Sequence, residues 1–107
     1  MPVEISLPPV VGDPAGMRAL AAGLRSDATS IAVVAADVAS TIDGLEFYGP
    51  AAERIDVRVR TSSRDAGRLA ERLLATAALL DRAASDVEAQ QRERERKLEQ
   101  MRREAAP

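Results

Sequence analysis

The side chains that usually perform catalysis or bind metal ions are absent or scattered in this sequence. The 107-residue chain contains no cysteine and no histidine, which removes the thiol nucleophile, the thiolate zinc site and the usual general base. Serines such as Ser62 and Ser63 therefore have no histidine to activate them, and the carboxylates recur at spacings typical of solvated helix faces. No glycine-rich phosphate loop occurs. We predict neither an enzyme nor a protein that needs a metal or another cofactor.

Charge is distributed unevenly along the chain. Residues 1–50 carry six acids and two bases, whereas residues 51–107 carry eleven acids and thirteen bases. The resulting net charges of −4 and +2 are weakly complementary, which suits two halves that lie side by side. A dedicated nucleic-acid binder carries a dense basic patch, and here the bases alternate with acids. We therefore predict no nucleic-acid partner.

Length and composition predict one thin, elongated, all-α domain. Alanine is abundant, and Phe47 and Tyr48 are the only aromatic residues, so a thick globular core is not expected. No apolar run approaches the roughly 18 residues of a membrane span, and no cleavable signal peptide is visible. These observations predict no membrane insertion.

Two helices and a preceding strap are predicted from the apolar pattern. Pro2, Pro8 and Pro9 favour an extended strap over residues 1–12. Asp13 and Pro14 then form a good helix start, and the first helix is predicted over about 14–42, with a turn over about 43–49. Its apolar stripe recurs every seven residues, with small residues such as Ala21, Ala28 and Ala35 beside it: Met17, Leu24, Ile31, Val38 and Leu45.

The second helix is predicted over about 50–104. Spacings of three and four residues mark one buried face, formed by Ile55, Val59, Ser62, Ala66, Leu69, Leu73, Ala77, Leu80, Ala84 and Val87. Gly67 interrupts this helix and is interpreted either as a weak point or as a place where a neighbouring helix comes close.

Beyond Val87 the stripe fades into a charged segment, and residues 105–107 are predicted to be disordered. Pairs at i,i+4 stabilise the charged helix, and they are Glu88–Arg92, Glu93–Lys97 and Glu99–Arg103. Because the second helix is much longer than the first, this segment should project as an arm. Its candidate partner-binding residues are Asp86, Arg92, Arg96, Leu98 and Met101.

Two amphipathic helices leave apolar surface exposed along their seam, and dimerisation into a four-helix bundle is the usual remedy. The residues predicted to carry helix packing and the dimer interface are the large apolar members of the two stripes. They are Met17, Leu24, Ile31, Val38, Leu45, Ile55, Val59, Leu69, Leu73, Leu80 and Val87.

A short aromatic corner separates the two helical segments. Phe47 and Tyr48 are placed to plug the open end of a hairpin, Gly49 allows a sharp turn, and Pro50 sets the first φ of the next helix. The corner lies near the middle of the chain between matched apolar stripes. The pattern predicts an antiparallel helix–turn–helix hairpin.

This hairpin resembles the WXG family, the Esx-like proteins of type VII secretion, whose corner reads Trp-x-Gly. Phe47 stands in the position of the tryptophan, Gly49 in that of the glycine, and Pro50-Ala51-Ala52 continues as in actinobacterial members. The opening Gly12-Asp13-Pro14-Ala15 is similar to those relatives as well. The resemblance covers residues 12 to about 90.

The resemblance implies a secreted substrate, a co-secreted partner or a targeting factor that is cytoplasmic before export and leaves without a signal peptide. It implies a homodimer or a heterodimer with another WXG-like hairpin, and a type VII secretion ATPase or a larger toxin as further partners. The family's Tyr-x-x-x-Asp/Glu signal is incomplete, because Arg82 and Ala84 stand where a tyrosine would precede Asp86 or Glu88. The alternative is a cytoplasmic coiled-coil adaptor or a chaperone for a larger, toxin-like neighbour.

Overall fold

Two antiparallel helices form the part of the chain that the structure describes, residues 7–106 of a computed structural model. Helix α1 is Pro14–Asp43 and helix α2 is Pro50–Ala105. No strand occurs among the described residues, of which 86% are helical, so the predicted all-α hairpin is confirmed. Residues 1–6 of the predicted strap and Pro107 of the predicted disordered end lie outside the described residues.

Local sequence explains where each helix begins and ends. Asp13 caps α1, because its Oδ1 accepts a hydrogen bond from the backbone N–H of Gly16 at 3.1 Å. α1 ends at Asp43, where the N–H of Gly44 donates to the carbonyl of Ser40 at 3.1 Å. α2 begins directly after Gly49, whose φ of +105° lies in a region that favours glycine.

The molecule is a rod rather than a globule. It measures 89 × 16 × 15 Å, and its radius of gyration is 25.4 Å, whereas a compact chain of this length would have about 13 Å. Its accessible surface of 8358 Å² also exceeds the roughly 5,800 Å² expected of a compact protein of this mass. Because α2 is 26 residues longer than α1, its C-terminal part projects by about 40 Å.

Over residues 7–106, the core of this rod consists only of alanine. The five buried residues of this range are Ala21, Ala28, Ala70, Ala77 and Ala84, which we call the alanine seam. Within each helix they are seven residues apart, the repeat that keeps one side chain facing a partner helix. Small side chains allow two helices to pack closely, but they bury little apolar area.

In the first part of α2, the predicted face is correct at the half-buried Val59 and Ala66 and is displaced by one residue at three other positions. Asp56 and Ser63 are half-buried and Ala70 is buried, whereas the predicted Ile55, Ser62 and Leu69 are exposed. The prediction followed the largest apolar side chains, but a closely packed seam accepts the small ones. Gly67 is not a point of close approach within the chain, because a Cβ at this position would meet nothing within 4 Å.

Candidate protein–protein interaction surface

One side of the alanine seam is charged. Arg18 forms an ion pair with Glu88 and also donates to Ser85 Oγ at 3.2 Å, while Arg25 forms an ion pair with Asp81. All four charged side chains are partly exposed, so each pair contributes only about 0–1 kcal/mol. Their main effect is to align α1 with the stretch of α2 around residues 81–88.

The opposite side of the seam is apolar and more open. Between α1 and α2 lies a groove of about 500 Å³, lined mostly by apolar side chains. Ile31, Val34 and Val38 form its α1 wall. Val59 and Ala66 line its α2 wall, together with Ser62. We call this groove and its flanks the apolar face: Leu20, Leu24, Ile31, Val34, Val38, Ile55, Val59, Leu69, Leu73 and Leu80.

The predicted packing residues are divided between partly covered and exposed positions. Seven are half-buried within the chain, namely Met17, Leu24, Ile31, Val59, Leu73, Leu80 and Val87. The other four remain well exposed, namely Val38 at 48%, Leu45 at 55%, Ile55 at 43% and Leu69 at 47%. Val34 is exposed to 60%. The intrachain packing therefore leaves several branched apolar side chains in contact with solvent.

The stretches of the two helices that contain the apolar face differ in net charge. Residues 28–46 of the α1 side contain Asp37, Asp43 and Glu46 and no basic residue. Residues 50–72 of α2 contain six arginines and four acids, a net charge of +2. Among the described residues, no ion pair joins the two helices along this stretch, and Arg60 pairs with Asp56 of its own helix at 3.1 Å.

At the turn, the two aromatic residues have different surroundings. Phe47 is half-buried, and it borders a surface pocket together with Ile42 and Ala52. Tyr48 is 91% exposed, so the predicted plugging of the hairpin end is wrong for this residue. Gly49 has open space around the position of a Cβ, so its backbone conformation, not crowding, requires glycine. Pro50 occupies the first position of α2.

The arm projects as a helix with a charged surface. Asp86, Arg92 and Arg96 are exposed, while Leu98 and Met101 are half-buried. Two predicted pairs are present, Glu88–Arg92 at 4.0 Å and Glu99–Arg103 at 3.3 Å. The predicted Glu93–Lys97 pair is not formed, because Glu93 pairs instead with Arg96 at 2.9 Å.

Two residues that the sequence analysis did not single out have central positions. Ala70 belongs to the seam, and Arg94 contacts the strap through the carbonyls of Leu7 and Pro8. The seven-residue repeat could have identified both residues as members of the packed face. Ala70 lies seven residues before Ala77, and Arg94 lies seven residues after Val87.

The described residues contain no group of three or more acidic side chains arranged to hold a metal ion. α1 is long and apolar enough, by length and composition alone, to cross a membrane, a test that core helices of soluble proteins also pass. Asp27 and Asp37 lie within it, and a carboxylate at the centre of a bilayer costs about 2.5–3.5 kcal/mol. The absence of membrane insertion stays a prediction.

Comparisons with protein-family models, with curated proteins and with solved structures found no match to this chain.

Proposed function

We propose that this protein is a small WXG-like helical hairpin of type VII secretion that acts by binding other proteins. The aromatic corner carries the proposal, because Phe47 and Gly49 lie at the turn between two matched helices, where the family has its Trp-x-Gly motif. The protein would serve as a secreted substrate, a co-secreted partner or a targeting factor. In each role it works by recognition rather than by catalysis.

Recognition would use the apolar face. A second helical hairpin laid along this face would cover Val34, Val38 and Ile55, and it would complete a four-helix bundle. Two copies related by a two-fold axis can set the acidic residues 28–46 of one chain near the basic residues 50–72 of the other. A related hairpin with the same charge pattern would fit in the same way.

An export assay in the native producer tests the proposal. The tagged protein is quantified in the culture supernatant and in the cell pellet, in strains with and without the type VII ATPase. We expect a supernatant signal that disappears when the ATPase is deleted. A cytoplasmic marker measured in the same fractions controls for lysis. Protein confined to the pellet in both strains would contradict export.

One observation favours a second role as a cytoplasmic adaptor or chaperone for a larger, toxin-like partner. The only tyrosine is Tyr48 at the turn, so the arm holds the acidic residues Asp86 and Glu88 of the family's export signal without the aromatic one. Affinity purification from the producer separates the roles. A larger protein that co-purifies from the pellet and is never found with this chain outside the cell would favour the adaptor.

A further inference from the structure

The strap before α1 contacts the arm of α2 through one arginine. Arg94 Nε donates to the carbonyl of Pro8 at 3.0 Å, and its Nη2 donates to the carbonyl of Leu7 at 3.1 Å. The planar guanidinium thus binds two successive backbone acceptors with two parallel donors. Val10 is half-buried on the same surface, where the strap lies against Gln90 and Lys97.

The strap is suited to this contact by its own sequence. Pro8 and Pro9 restrict φ and lack N–H groups, so this segment favours an extended conformation and cannot continue α1. At its other end, Gly12 lies tightly against α2, because a Cβ there would be 2.9 Å from Val87 Cγ1. Arg94 and Val87 therefore hold the two ends of the same short segment.

These two anchors occupy equivalent positions of the seven-residue repeat. Leu73, Leu80, Val87, Arg94 and Met101 follow one another at intervals of seven, and all five are half-buried. The strap consequently lies on the side of α2 that continues the apolar face towards the arm. An arginine at a position that is otherwise apolar needs hydrogen-bond acceptors. The carbonyl groups of an extended strap supply them, whereas the apolar side chains of another helix do not.

We propose that residues 7–12 form a displaceable cover, latched by Arg94, that closes the arm end of the apolar face. With the strap bound, a partner helix can pack only as far as Leu80, because Gly12 lies against Val87. With the strap released, the docking surface extends along the arm towards Leu98 and Met101. The use of this longer surface by a partner rests on the proposed function. The contact between Arg94 and the strap does not, because it lies within one chain.

The latch is tested with Arg94→Gln in the full-length chain, with Arg92→Gln as a matched control on the same helix. The backbone order parameters of Val10, Val11 and Gly12 are measured by ¹⁵N relaxation. In the wild type and in Arg92→Gln we expect values near the roughly 0.85 of rigid backbone, and in Arg94→Gln values below about 0.6. Low values in the wild type, or no decrease in Arg94→Gln, would overturn the latch.

The cover is tested by the accessibility of the surface beneath it. Because the chain has no cysteine, Val87→Cys introduces a unique thiol against which Gly12 lies. Its rate of reaction with a soluble thiol reagent should rise at least fivefold when Arg94→Gln is added and should not change when Arg92→Gln is added. Circular dichroism establishes that helicity is the same in all variants. An unchanged rate with Arg94→Gln would show that the strap is not a cover.

Both measurements are made at concentrations where the chain is monomeric, so they are independent of whether hairpins pair or are exported. Failure of the export assay would therefore leave the latch and the cover standing, and failure of the latch would leave the proposed export standing.

Discussion

The two halves of the hairpin differ in how closely their helices pack. Towards the free ends, alanines are buried between the helices, and ion pairs at Arg18 and Arg25 cross the seam beside them. Towards the turn, over residues 29–69, no residue is buried, and branched side chains such as Val34 and Val38 line an open groove. We call these the closed half and the open half. The comparison indicates that the closed half holds the hairpin together, whereas the open half offers apolar surface to a partner.

The largest expected effect is a charge placed in the closed half. Ala77 is fully buried, so Ala77→Asp would place an unpaired carboxylate in the seam and lower the free energy of unfolding by about 3 kcal/mol or more. Thermal unfolding followed by circular dichroism measures this loss. Ala78→Asp, on the exposed side of the same turn, is the control and should lower stability by only about 0.7 kcal/mol, the difference in helix propensity. Equal effects of the two substitutions would refute the assignment of the seam.

An aspartate placed in the open half should weaken association between chains rather than folding. Val38→Asp removes an apolar side chain from the groove, and losing the burial of one valine, about 1.5–3 kcal/mol, weakens a dimer at least about tenfold. Sedimentation equilibrium measures the dissociation constant, while circular dichroism should show unchanged helicity. Val33→Asp, which lies on α1 but does not line the groove, is the control. A dimer unaffected by Val38→Asp would mean that partners bind elsewhere.

At the end of the open half, the two aromatics of the turn should differ in their contributions. Phe47→Ala removes a half-buried ring and should lower stability by about 1–2 kcal/mol, since only part of the ring is covered. Tyr48→Ala removes a ring that is almost entirely exposed and should change stability by less than about 0.5 kcal/mol. Melting temperatures of the two variants decide this. Equal decreases would undercut the alignment of Phe47 with the family's tryptophan.

Substitutions of two glycines of the open half should have opposite signs, and that of Gly67 is the smallest effect expected. Gly49→Ala forces a side chain into a backbone conformation with φ of +105° and should destabilise the chain by about 1–2 kcal/mol. Gly67→Ala adds a methyl group that meets no neighbour. It should stabilise α2 by about 0.5–1 kcal/mol, because alanine has the higher helix propensity. Denaturant unfolding measures both changes. If Gly67→Ala lowered stability instead, Gly67 would have to lie close to a second molecule, because no neighbour within the chain is near it.

Much of the fold could be predicted from the sequence because its signals are local. The cap at Asp13, the stop at Gly44 and the start at Pro50 depend on neighbouring backbone groups, and the helices end within one residue of the predicted bounds. The seven-residue repeat likewise predicts two helices that lie side by side. A sequence of this kind needs no distant contact to specify where its helices begin and end.

The candidate surface was only partly predictable. The apolar pattern predicts Leu69 and Ile55 on the packed face, because large apolar side chains are expected to be buried. Within one chain, however, their neighbours Ala70 and Asp56 face the seam, and the larger side chains remain on the apolar face. Arg94 could not be recognised as a strap contact, because its partners are backbone carbonyls more than 80 residues away in the chain.

The sequence by itself determined the helices, the turn, the polarity of the arm and the absence of cysteine and histidine from the chain. Only the tertiary structure decided which residues of the seven-residue repeat face the other helix. It also decided which side of the seam carries the ion pairs and where the strap lies. These choices depend on how two rods are rotated about their axes. A rotation of one residue costs little in local helix propensity, but it would bring Leu20 or Leu69 to the close contacts that Ala21 and Ala70 make.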